Sequence, residues 1–105
     1  MESKDIEQLL EIRRKVDIID KQIVPLIAQR NVLIKQAIVM KNVVKDADDV
    51  DRVSVVLQNV KALAGEFQLE EAVIEKIYRT MMNAFIDQGA SHIDPVYREM
   101  KKSYY

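Results

Sequence analysis

Arg13, Arg30 and Lys41 stand where an apolar seam should be, and they are the first chemistry this sequence offers. Read in heptads from Ile6, the two inner positions are Ile6, Leu9, Arg13, Val16, Asp20, Ile23, Ile27, Arg30, Ile34, Ala37, Lys41 and Val44. Ile12, Ile19, Leu26, Leu33 and Met40 lie beside them. Cations at seam positions cost stability unless a counter-charge or a bound anion meets them, and Asp20 can answer only one of the three. A lone cation can snorkel to solvent along its aliphatic stem; three on one stripe leave a surplus of positive charge facing inward. Arginine grips a carboxylate through two parallel hydrogen bonds, whereas lysine is a compact charge suited to one oxygen that gains electron density. The guest that fits is a small dicarboxylate.

Spacing then decides how many chains a site needs. Arg30 and Lys41 are about three turns apart, roughly 16 Å along a helix, so long side chains leaning toward each other can touch one small ligand. Arg13 is roughly 25 Å from Arg30 on the same rod and cannot reach that ligand. A second copy of the helix running antiparallel would bring it there, and a two-fold homodimer does so twice. Arg52 adds a fourth cation in the segment Asp49-Val50-Asp51-Arg52.

These residues need helices to hold them. Apolar residues recur at three and four rather than at two, and two Gly and two Pro punctuate the chain, so the expected class is all-α without strands. One long first helix is expected from about Asp5 to about Asn42, bent at Pro25, which falls on the outer side of the heptad. Asp46 or Asp48 is placed to cap a second helix with Val50, Val53, Val56, Leu57, Val60, Leu63 and Ala64 as its apolar face, ended by Gly65. A third helix is expected from about Leu69, with a stripe of Ile74, Ile77, Met81, Ala84 and Phe85 that puts Gln88 inward, closed by Gly89. Asp94-Pro95 starts a short tail helix. The chain of 105 residues then reads as a single domain, 1–105, with a core of 5–90 and a tail of 91–105.

Composition narrows the function. A net charge of −1 argues against general nucleic-acid binding, which draws on an excess of Lys and Arg. The absence of cysteine and the single His92 leave no disulfide framework, no thiolate chemistry and no cysteine or histidine metal site; no metal or cofactor is expected. Asp46, Asp48, Asp49 and Asp51 lack the glycine and distal glutamate of a calcium loop and read as capping and salt-bridge residues. Met81, Met82, Tyr78 and Phe85 read as core, and His92 as a solvated loop residue. No membrane-spanning stretch or leader is expected, and the expected location is cytoplasmic.

Ile12-Arg13 followed by Val16 and Ile19-Asp20, then Leu26-Ile27-Ala28-Gln29-Arg30, Lys41 and Asp49-Val50-Asp51-Arg52, together resemble the all-helical chorismate mutase family over roughly residues 6 to 90. The resemblance implies three-helix chains intertwined into a homodimer with two sites. It implies that Arg13 reaches the partner's site, Arg30 holds a substrate carboxylate, Lys41 hydrogen-bonds the ether oxygen, Arg52 binds substrate and Asp49 contacts a substrate hydroxyl. Two departures stand out: Val53 occupies a position that often carries Glu, and the third-helix Gln of the family falls on Gly89, with Gln88 one residue early and assigned its role. Val53 and the loop between Lys41 and Arg52 resemble isochorismate pyruvate lyases, and aminodeoxychorismate mutases are a third relative. The implied activity is the rearrangement of chorismate to prephenate, by electrostatic stabilisation of the transition state. The lyase, the aminodeoxychorismate mutase and a non-catalytic helical dimerisation module are the alternatives.

Overall fold

The computed structural model describes residues 2–43 and 51–91, and of 41–43 and 89–91 the backbone alone. The described residues are helical, without strands: α1 is Ser3–Val43, α2 is Arg52–Glu66 and α3 is Glu71–Ser91. The tail helix expected at Asp94-Pro95, together with Asp46, Asp48, Asp49 and His92, lies outside the described residues.

α1 has 41 residues and runs without interruption through Pro25, a length of about 60 Å. Its ordinary helix formers tolerate one lost hydrogen bond in a rod this long. By its own contacts the chain divides into two units, Met1–Leu33 and Ile34–Tyr105.

The first unit is helix alone. Every residue from Glu2 to Leu26 is exposed, including Ile6, Leu9, Leu10, Ile12, Val16, Ile18, Ile19, Ile23, Val24 and Leu26. Apolar residues on this rod are not confined to one narrow seam, and a helix that is apolar on most of its circumference is one that other helices cover. By length and composition α1 also contains a stretch apolar enough to cross a membrane, which corrects the expectation that none exists. The same apolar excess that marks a helical seam produces it, and the charges at Arg30 and Lys35 interrupt it.

The second unit holds the core. Ile34 and Ile38 at the end of α1, Val56, Leu57, Val60 and Ala64 of α2, and Met82 of α3 are buried, with Val53, Ile74, Tyr78 and Ile86 packed against the cluster. On α2 the buried set follows the expected apolar face, except that Leu63 is exposed. On α3 the stripe is rotated: Met82 is buried, Ile74, Tyr78, Met81, Phe85 and Ile86 are half-buried, and Ile77, Ala84 and Gln88 are exposed. Packing against α2 centres the contact on Met82 rather than Met81, so Gln88 is not inward within this chain.

Helix ends differ from expectation for local reasons. α2 begins after Asp51, whose carboxylate accepts from the Ser54 backbone N–H at 3.3 Å and from the Ser54 hydroxyl at 2.7 Å. Neither Asp46 nor Asp48 is therefore the cap. At the other end Gly65 lies inside α2, and the left-handed residue is Gln68, at φ 58°. The Leu69 N–H donates to the Ala64 carbonyl at 2.8 Å and the Gln68 N–H to that of Gly65 at 3.4 Å, the paired closure of a Schellman turn. α3 starts at Glu71 rather than Leu69, the Glu70 carbonyl accepting from the Val73 and Ile74 N–H groups. Gly89 does not close α3, which continues to Ser91.

Candidate functional site

The first unit carries two of the sequence-assigned cations. Arg13 is exposed, in the wholly exposed stretch of α1, and Arg30 is half-buried. Beside Arg30 is half-buried Asn31, whose Oδ1, among the described residues, is a buried side-chain oxygen without a hydrogen-bond partner. A buried amide oxygen left unpaired is costly, and Asn31 was not singled out from sequence. Its one signal was a polar residue flanking an otherwise apolar stripe.

The second unit carries the rest. Lys41 lies in the last turn of α1, where a cation complements the carbonyl end of the helix; its side chain is outside the described residues, and so is Asp49 altogether. Arg52 is exposed and is the first residue of α2. Gln88 is exposed on α3. Val53, at the position that often carries Glu, packs against the core cluster and presents no polar group there. The helix therefore leaves Arg52 in solvent while Val53, the next residue, is half-buried against the core cluster. Among the described residues no group of His, Cys, Asp or Glu is arranged to hold a metal ion.

Of the four acids read as capping residues, Asp51 is the one that caps α2. Asp51 accepts two hydrogen bonds from Ser54, and these hold its carboxyl below the usual carboxylate range, so it is ionised next to Arg52. Asp at one position and Ser three residues on was the available signal.

Three helices without strands among the described residues, the first of them a long and largely apolar rod, define an all-helical class of protein. The sequence pattern of the family described as chorismate mutase type II matches residues 12–89. A chorismate mutase of Methanocaldococcus jannaschii is 35% identical over 78 residues, covering 73% of this chain and 79% of that protein. No solved structure matches significantly. The chain belongs to the chorismate mutase type II family.

Proposed function

We infer that this chain is a chorismate mutase, rearranging chorismate to prephenate. The observation that carries the reading is the extent of the family match, 12–89, which takes in Arg13, Arg30, Lys41, Asp49, Arg52 and Gln88. An intramolecular rearrangement needs its substrate folded into a compact conformer and its breaking ether bond stabilised as negative charge collects on oxygen. Arg13, Arg30 and Arg52 are suited to the first task, as guanidinium clamps on two carboxylates, with Asp49 on the hydroxyl. Lys41 is suited to the second, with Gln88 as the further donor.

The working unit in this reading is an intertwined homodimer. Its support is the exposed apolar rod of α1, which one narrow seam would not cover, and the roughly 25 Å between Arg13 and Arg30 along that rod. Each site takes Arg13 from the second copy and the remaining residues from the first. A partner helix also accounts for the apolar stretch of α1 without a membrane, in keeping with a cytoplasmic enzyme.

The test is turnover of purified protein on chorismate and, side by side, on isochorismate. Prephenate from chorismate is the expected product; salicylate and pyruvate from isochorismate, with no prephenate, would overturn the reading. Lys41→Ala should slow turnover about a hundredfold or more, the scale of losing one oxyanion donor, while leaving the dimer intact by size-exclusion chromatography. Unchanged turnover in that variant would remove Lys41 from its role.

A further inference from the structure

We propose that Asp51 is a positioning residue, acting on substrate through Arg52 by fixing where α2 begins. This rests on the assignment of Arg52 to substrate binding. Arg52 is the first residue of α2, so its backbone is helical only while the helix starts there. Asp51 enforces that start: its carboxylate takes the Ser54 N–H at 3.3 Å and the Ser54 hydroxyl at 2.7 Å, and its carbonyl accepts from the Val55 N–H at 3.2 Å. The first turn holds no other acidic residue.

Loss of the carboxylate leaves a ready substitute in the wrong place. Ser54 is itself a favourable cap, and a helix restarting from Ser54 would begin at Val55. Arg52 would then be in the preceding loop, and the direction of its guanidinium would no longer be set by a helical Cα–Cβ bond. Arg52 would keep its charge and lose its aim. Val53 packs against the core cluster from the same turn, so the cap also keeps Arg52 exposed about a quarter-turn from the half-buried Val53.

The experiment measures KM and kcat on chorismate, with the melting temperature at fixed protein concentration, for Asp51→Ala, Asp51→Asn, Asp51→Glu, Arg52→Ala and the double variant Asp51→Ala with Arg52→Ala. Asp51→Ala is expected to raise KM about fivefold, the equivalent of one lost cap, with kcat changed less than about twofold, because the interaction lost is one of binding. Asn, which caps as well as Asp, should restore KM, and Glu, which keeps the charge but not the geometry, should not. Should Asp51→Ala fail to fold, Asp51→Glu carries the same prediction. In the Arg52→Ala background, loss of Asp51 should raise KM no further. A wild-type KM in Asp51→Ala and Asp51→Glu, or an undiminished effect of Asp51→Ala without Arg52, overturns the proposal and leaves the role of Arg52 standing. An unchanged KM in Arg52→Ala alone would remove the Arg52 assignment, and this inference with it.

Discussion

At the residue scale, Glu75 links α2 to α3. Its carboxylate lies 3.1 Å from the Lys61 ammonium across the α2–α3 contact and 3.4 Å from the Arg79 guanidinium one turn along α3. The bond from Lys61, with a smaller contribution from Arg79, holds the Glu75 carboxyl below its usual range. Since the folded-state pKa is the lower one, this contribution to stability is full above about pH 5 and fades as the pH falls through the depressed value. Partial exposure screens it, so added salt should weaken it too. Melting of wild type and Glu75→Gln between pH 3 and 7 checks this: any gap between them should be widest near neutrality and close toward the acid end. A gap independent of pH would contradict it. Residue identities on α1 were readable because charge among apolar neighbours stands out at a fixed period. Lys61 and Glu75 escaped notice because each looks like any other outward charge until the crossing of two helices brings them within reach.

At the scale of elements, three helices and the extent of α1 were legible from the spacing of apolar residues, and the closures of α2 and α3 were not. Gly65 was read as the stop of α2 because glycine favours the left-handed residue beyond a helix. The chain spends that conformation on Gln68, three residues later, since the Schellman bonds close from Leu69 to Ala64 and from Gln68 to Gly65. Closure is set by those backbone partners, which no single-residue preference reveals. The arrangement leaves two residues each suited to the other's place. A methyl group added at Gly65 meets nothing within 4 Å, so Gly65→Ala should stabilise by about 0.5–1 kcal/mol, and Gln68→Gly by a similar amount through relief of left-handed strain. Denaturant midpoints at one protein concentration check both; a lower midpoint in either variant would refute the assignment of that residue. The stripe of α3 shows the same limit. Its period was right, yet a rotation that buries Met82 and exposes Ile77 and Gln88 depends on how α2 packs, which sequence period alone does not define.

At the scale of the whole molecule, the residues that were easiest to read from sequence are the ones a single chain does least to bury. Arg13 and its apolar neighbours lie in a stretch of α1 where nothing is covered, whereas the core belongs to Ile34, Ile38 and the two shorter helices. In the proposed homodimer a second polypeptide covers this face and lends Arg13 to a site. The family was legible because Arg13, Arg30, Lys41, Asp49 and Arg52 stand in a characteristic order and spacing. Lys41's side chain and Asp49 lie outside the described residues.

Subunit mixing tests the shared site most directly. Arg13→Ala and Arg30→Ala are each made and purified, and each should be severely impaired on chorismate as a homodimer. Mixed in equal amounts and allowed to exchange, half of the dimers become hybrids, each with one doubly impaired site and one intact site, so activity should recover to about a quarter of wild type. A mixture no more active than its two components, with exchange verified by tagged subunits, would show that Arg13 and Arg30 do not serve one site from two chains.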